Sequence, residues 1–421
     1  MKTKLFIKFI ICIFAAAVFY PAAFPYYTSA DEQAFPQVNA QSAILMDVAT
    51  GKTLYEKDSH SKMYPASITK VMTAIVVLEN CKLDDVATVS NNAVSSLDSG
   101  YVTAGLQEGE ELTTLQLLNM LLIASANDAA IVLAEHVSGN VQDFSALMNK
   151  KAKDLGCTGT NFVNPDGVHD ENHYSTAYDL ALIGRYAMQN DTFRSIVSNT
   201  SYTLPPTNKT SKERTFTTTN ALLTTSSPYY YKYATGIKTG STTPAGECLL
   251  ASGSSNEFGL ISVILNAKNS NVRFADTAIL FNYAYSTYSL KKVAVQNQII
   301  QTLNIKGATS STKKLDILLQ NDITAVINNS NISDNFMPEI KLNDNLKAPI
   351  SKGDVVGTVT YTIDGTNYSS KLTASHNVKP SRMNIIIGII AILLVLLILI
   401  RMINMNKRKR RLTSYKNHKQ Y

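Results

Sequence analysis

The sequence predicts an α+β protein. One domain has an antiparallel sheet with helices packed on it, a small all-β domain follows, and a transmembrane helix comes last. Three observations predict this. Strand-like runs at 42–58 and 247–267 bracket a helical middle, which draws the two ends of one domain into a single sheet. Residues 291–380 shift to Thr, Ser, Asn, Val and Ile with short strand signals. Residues 383–400, MNIIIGIIAILLVLLILI, carry no charge.

Each element has its own warrant. At the N-terminus, Lys2, Lys4 and Lys8 precede the apolar run FIICIFAAAVFY, and small residues end at Ala30. That order reads as a signal peptide over 1–30, with an uncleaved anchor helix as the alternative. SAILMDVATGKTLYEKD, 42–58, reads as a hairpin turning at Ala49–Gly51. A helix is expected from near Ser67, with Val71, Ala74, Ile75 and Leu78 at helical spacing. Further helices are expected over 111–125, over 129–139 ended by Gly139, over 143–156, over 175–190 capped by Ser175 or Thr176, and over 272–288. ECLLASGS (247–254) and FGLISVILNA (258–267) read as adjacent antiparallel strands. Asp364-Gly365 marks a hairpin turn in the β domain. The charge-free run is about 27 Å long at ~1.5 Å per residue, close to a hydrocarbon core. The basic cluster at 407–411 then marks the cytoplasmic side. The resulting division is a signal peptide (1–30), a main α+β domain (31–290), a β domain (291–380) read as a spacer, a transmembrane helix (383–403) and a basic cytoplasmic tail (404–421). The body is then extracellular, on a single-pass membrane anchor.

The charge balance supports that reading. The chain of 421 residues has a formal charge of +7, but eight Lys/Arg lie in 401–421 and three in the first eight residues. Without those eleven the remainder carries −4, so nothing points to nucleic acid. Outside the signal, Cys81, Cys157 and Cys248 form neither a CxxC nor a zinc spacing. They read as small apolar residues, and neither cofactor nor metal is expected.

Three short motifs carry chemistry. Ser67 and Lys70, in YPASITKVMTA, stand one helical turn apart at a helix start facing a core. A serine needs an adjacent base to become a nucleophile, and a lysine serves if burial or a second cation lowers its pKa. Ser-x-x-Lys also occurs at 59, 289, 310 and 311, so the pattern alone leaves a solvated surface pair open. Ser125 and Asn127 lie in a tight break between two apolar helices; Ser-x-Asn recurs at 90, 138, 254 and 333. Lys238-Thr239-Gly240 occurs once and opens the strand-rich part. There a strand edge offers backbone groups to an extended substrate, and Gly240 permits close approach.

Together, in this order and in these contexts, the three motifs are the signature of penicillin-interacting serine enzymes. Over about residues 35–290 the sequence resembles the low-molecular-mass penicillin-binding proteins, the serine-type D-alanyl-D-alanine carboxypeptidases. NPDGVHDENHYSTAYDLALI (164–183) and TGIKTGSTTPAGECLLAS (235–252) share in the likeness, and APISKGDVVGTVTY (348–361) resembles the family's C-terminal domain. The resemblance implies the serine β-lactamase/DD-peptidase-like fold and a peptidoglycan stem peptide ending in D-Ala-D-Ala as substrate, with β-lactams as covalent inhibitors. It further implies Ser67 as nucleophile, Lys70 as base, Ser125 as proton relay and Asn127 as substrate hydrogen-bonder. Lys238 and Thr239 would bind the terminal carboxylate beside Gly240, the N–H groups of Ser67 and Ser241 would form the oxyanion hole, and Arg273 would assist with the carboxylate or else form a surface ion pair. Two rivals remain at this level. One is a serine β-lactamase, although no E-x-x-L-N stands in 155–185. The other is a non-catalytic penicillin-sensing or wall-binding protein. His173 reads as structural, and ligation of a metal by His169, Asp170 and His173 lacks a further ligand at good spacing.

Overall fold

The computed structural model describes residues 35–330 and 336–417; the expected signal peptide lies outside the described residues. The central sheet gathers β1 (Ser42–Asp47), β2 (Thr53–Lys57), β7 (Ala234–Thr242), β8 (Gly246–Ser255) and β9 (Phe258–Ala267) in the antiparallel order β2-β1-β9-β8-β7. β1 pairs with β9 from Ser42↔Leu265 to Asp47↔Leu260, so the two ends of the domain do share one sheet. Every residue of β1 is buried, because both faces are covered. The pleat sends Ile44 and Met46 into one core and Ala43 and Leu45 into another.

The first core is the helical middle. It contains α1 (Lys70–Asn80), α2 (Asn91–Ser95), α3 (Thr114–Asn119), α4 (Asn127–Ser138), α5 (Val141–Asp154), α6 (Ala177–Ala187) and α7 (Asp191–Val197), with the short pairs β3 (Val86–Thr88)/β4 (Glu111–Thr113) and β5 (Ser201–Leu204)/β6 (Arg214–Thr217) at its margin. The second core lies under α8 (Ser270–Thr287), through Phe274, Leu280, Phe281 and Ala284. Side chains cap several of these helices, including the one for which the sequence offers Ser175 or Thr176. Thr113 and Gln116 form a reciprocal capping box on α3, and Thr176, rather than Ser175, caps α6.

Two expected helices are more divided than periodicity implies. The 111–125 segment is a strand (β4), then α3, then a π-helical turn over Met120–Ala124 that ends at Ser125 in the left-handed region, φ +66°. The helix expected from Ser67 is a 3-10 turn, Ala66–Thr69, that becomes α-helical only at Lys70.

Beyond α8, β10 (Tyr288–Ala294) pairs with β13 (Ile323–Asn328). A second five-stranded sheet runs β11 (Ile299–Asn304), β12 (Lys314–Leu319), β16 (Thr366–Ala374), β15 (Val355–Ile363), β14 (Glu339–Leu342). It has its own core around Leu315, Ile317, Val359 and Leu372. β15 and β16 turn at Asp364-Gly365 as expected. The tip of this hairpin reaches the β1–β2 turn, where the Lys52 ammonium lies 3.8 Å from Asp364 and 3.4 Å from the Val326 carbonyl. The last helix, α9 (Met383–Asn417), contains the stretch Ile386–Arg410, long and apolar enough to cross a membrane and with none of its most apolar window buried.

Candidate active site

The turn that carries Ser67 is tightly packed. Ala66 is held at φ +48°, a left-handed conformation that a residue with a Cβ rarely adopts. Gly167 packs against this residue, so close that a Cβ on it would fall 2.0 Å from the Ala66 carbonyl oxygen. The 3-10 turn that follows places half-buried Ser67 one turn before Lys70, and Lys70 is wholly buried.

The Lys70 Nζ is surrounded by three oxygens. It lies 3.0 Å from Ser67 Oγ, 2.5 Å from Asn127 Oδ1 and 2.5 Å from the Asp166 carbonyl. Two of these, an amide oxygen and a backbone carbonyl, can only accept. An ammonium donates to all three. A neutral amine has two N–H bonds, which these two obligate acceptors take, and its lone pair is then left facing the Ser67 hydroxyl. Burial pushes the Lys70 pKa down to about 8, against the opposing pull of the Asp166 and Asp128 carboxylates.

Asn127 reaches this point because α4 begins there, just after the left-handed Ser125. The first residues of α1 and α4 thus meet. Ser125 is buried, but among the described residues its hydroxyl hydrogen-bonds to none of Ser67, Lys70 and Lys238. The fold brings Ser67, Lys70 and Asn127 into direct contact, and Ser125 lies two residues before Asn127 at the end of the π-helical turn.

β7 closes the other wall as the edge strand of the sheet. A Cβ on Gly240 would meet the Pro65 carbonyl at 2.9 Å and the Ser67 nitrogen at 3.1 Å, so only glycine lets the strand approach the nucleophile's backbone this closely. Lys238 is buried, and its Nζ donates to the Thr239 carbonyl at 3.0 Å. Its pKa is held well below the ordinary lysine value by burial first, then by the Lys70 and Arg273 cations. The Thr239 hydroxyl shares a hydrogen bond with Thr219, and Ser241 Oγ donates to Glu247 at 2.8 Å.

Arg273 is not a surface residue. It projects from α8, is buried, pairs with Glu247 and donates to the Gly240 carbonyl at 3.1 Å. It ties β7 to β8, since the same guanidinium nitrogen also donates to the Cys248 carbonyl at 3.4 Å.

The cleft between these walls has a volume of about 450 Å³ and is lined by Ser67, Asn127, Asp166, Ser241 and the loop residues Tyr101 and Val102, among others. Several supporting groups escaped the sequence reading. Asp128 is buried and accepts N–H bonds from Ala104 (2.9 Å) and Leu106 (3.1 Å), which pins the loop over the cleft. A charge directly after Asn127, opening an otherwise apolar helix, was the available signal. Asp166 contributes through its backbone carbonyl, which no side-chain pattern reveals. His173 accepts the Val163 N–H at Nδ1 (3.2 Å) and so bears its proton at Nε2, 2.8 Å from Thr69 Oγ1. Both ring nitrogens are engaged, which leaves neither for a metal with His169 and Asp170. Burial depresses its pKa to about 4, so the ring is neutral near pH 7.

A serine paired with a buried lysine, facing an edge strand and a cleft, defines a serine hydrolase of the acyl-enzyme type. Comparison with known proteins narrows the class. Residues 28–269 match the D-alanyl-D-alanine carboxypeptidase family, and residues 288–380 match the C-terminal domain of penicillin-binding protein 5. The chain is 33% identical over 332 residues to the D-alanyl-D-alanine carboxypeptidase DacF of Bacillus subtilis, covering 77% of this chain and 82% of that protein. It is 31% identical over 360 residues to DacC of Escherichia coli, covering 82% and 85%. The crystal structure of penicillin-binding protein 5 from Haemophilus influenzae superposes with a TM-score of 0.70 at 28% identity, over 82% of this chain and 98% of that one. The chain belongs to the D-alanyl-D-alanine carboxypeptidase family.

Proposed function

We propose that this protein removes the C-terminal D-alanine from peptidoglycan stem peptides ending in D-Ala-D-Ala, through an acyl-Ser67 intermediate, and that β-lactams acylate the same serine. The observation that carries this reading is the arrangement of Lys70. Its two obligate acceptors turn the lone pair of the neutral amine toward Ser67 Oγ, which is what a general base requires.

In acylation the Lys70 amine takes the Ser67 proton as Oγ attacks the carbonyl between the two D-alanines. The oxyanion is received by the backbone N–H groups of Ser67 and Ser241, which the glycine at 240 allows to lie close together. The C–N bond then breaks, and the proton held on Lys70 passes to the departing amine through Ser125. Water hydrolyses the ester, releasing the shortened peptide and restoring Ser67. Lys238, Thr239 and Ser241 receive the terminal carboxylate, and Arg273, at the Gly240 carbonyl, adds positive charge nearby. Asn127 orients both Lys70 and the substrate backbone.

The C-terminal helix anchors the chain, with the basic cluster inside and the catalytic domain on the extracellular face, where its substrate lies. The β domain serves as a spacer between them. Family membership favours this reading over a β-lactamase or a wall-binding sensor.

The test is release of free D-alanine from a peptide ending in D-Ala-D-Ala, by the full chain and by Ser67→Ala. Release that disappears with Ser67 is the expected result. Release that survives in Ser67→Ala, or none from folded wild type, overturns the proposal.

A further inference from the structure

The helices that carry Lys70 and Asn127 at their starts also converge at their far ends, on a second group of donor side chains. Cys81 caps the C-terminus of α1, and His136 stands in the last turn of α4. Asp85 follows Cys81 by four residues, in the turn toward β3. One ligand atom from each of Cys81, Asp85 and His136 lies within 4.8 Å of the others. α1 has 11 residues, so this cluster is about 15 Å from the Ser67–Lys70 pair at ~1.5 Å per residue.

The surroundings hold these groups in place and leave them available. The Lys82 N–H donates to one Asp85 carboxylate oxygen at 2.8 Å, and the Asp85 carbonyl accepts from the Thr114 N–H at 2.8 Å, so the side chain is fixed at its base. Cys81 is a free thiol. Among the described residues, neither that thiol nor the His136 ring makes a hydrogen bond. The neighbouring acids are committed elsewhere: Glu79 pairs with Lys151, and Glu135 accepts from Ser90 and Asn92. All three cluster residues are half-buried, accessible to an ion and partly shielded from water. Both helices also direct their C-terminal ends here, and the partial negative charge of those ends favours a cation.

Sulfur, imidazole and carboxylate together select against the hard, all-oxygen ions Mg²⁺ and Ca²⁺ and suit a tetrahedral ion of borderline softness. We propose that Cys81, Asp85 and His136 bind one divalent transition-metal ion of the zinc type, which ties the far ends of α1 and α4 together and braces the frame that holds Lys70 against Asn127. On binding, the Cys81 thiol proton passes to solvent. The thiolate and the carboxylate balance the two positive charges of the ion, the neutral imidazole is the third ligand, and water takes the fourth position. The ligand spacing was silent in the sequence because the third ligand comes from a different helix.

The test uses the full chain in detergent, stripped of metal, titrated with Zn²⁺ and separately with Co²⁺ as a spectroscopic probe. One ion should bind per chain. Co²⁺ should show tetrahedral d–d bands and a thiolate-to-metal charge-transfer band. That band should vanish in Cys81→Ser and persist in Cys157→Ser and Cys248→Ser. His136→Gln and Asp85→Asn should weaken Zn²⁺ binding beyond the ~10–100-fold that outer-shell changes cause. β-Lactam acylation should remain in all these variants, which verifies their fold. Should Cys81→Ser fail to fold, the wild-type cobalt spectrum and His136→Gln decide the matter. Failure of wild type to bind an equimolar ion, a cobalt spectrum without the thiolate band, or unchanged affinity in His136→Gln overturns the proposal.

Discussion

Replacing Lys70 by arginine separates charge from basicity. The guanidinium keeps a cation and hydrogen-bond donors at the site, yet it does not give up a proton in a protein. In the wild type, burial brings the Lys70 pKa to about 8. About one tenth of the enzyme then holds a neutral amine at pH 7, against roughly 0.03% for an unshifted lysine, so burial enlarges the reactive fraction about 300-fold. The sign follows directly. With Lys70 as the proposed base the neutral form is the reactive one, so the acylation rate should rise about tenfold per pH unit below 8 and level off above it. Lys70→Arg removes the base at every accessible pH, and the acylation rate should fall by about 10²–10⁴-fold, the usual contribution of a positioned general base. The assay is the second-order rate of acylation by a fluorescent penicillin between pH 5.5 and 9.5, which reports groups titrating in the free enzyme. A wild-type profile flat from pH 6 to 9, or an arginine variant within tenfold of wild type at pH 7, refutes the reasoning.

Other predictions follow from packing and burial. Gly240→Ala would set a Cβ 2.9 Å from the Pro65 carbonyl and 3.1 Å from the Ser67 nitrogen, and backbone there cannot yield without moving the nucleophile; acylation should slow by about 10²-fold, measured alongside D-alanine release. Gly167→Ala combines φ +83° with a Cβ 2.0 Å from the Ala66 carbonyl oxygen, so urea denaturation should show a loss of about 3 kcal/mol or more; an unchanged midpoint would contradict the packing. His173 is depressed from 6.5 to about 4, so the unfolded chain takes up a proton below pH 6.5 that the folded chain refuses until about 4. Its contribution to stability is therefore full above pH 6.5 and is lost as pH falls, by about 3 kcal/mol. His173→Gln should remove that part of the slope in unfolding midpoints measured from pH 7 to 4.

Much of this was legible because local and global signals agreed. Strand runs 42–47 and 258–267 are continuous apolar segments, and the sheet buries them on both faces. Ser67, Lys70 and Asn127 could be picked out because each sits at a helix start, where the chain must change direction and where side chains point at the same place. What escaped was geometry without a pattern. The Asp166 carbonyl is a backbone group, and any residue type supplies one. The π-helical turn before Ser125 looks apolar and helical, since periodicity does not distinguish a wider turn from an α-helix. Arg273 was ambiguous because its burial depends on α8 docking against β8 and β9, a long-range fact that no local window contains.

The pairing of β1 with β9 has a bearing on when the enzyme can react at all. Ser42 faces Leu265 across the sheet, and among the described residues the strand that approaches Ser67 is flanked only by β8. A growing chain makes Ser67 early and the strand that packs on it late, and contacts so distant in sequence close slowly. Until β7, β8 and β9 have been synthesised and docked, Ser67 is an ordinary hydroxyl on an incomplete surface. The order of the strands thus completes the surroundings of Ser67 only once the last strands of the domain have docked.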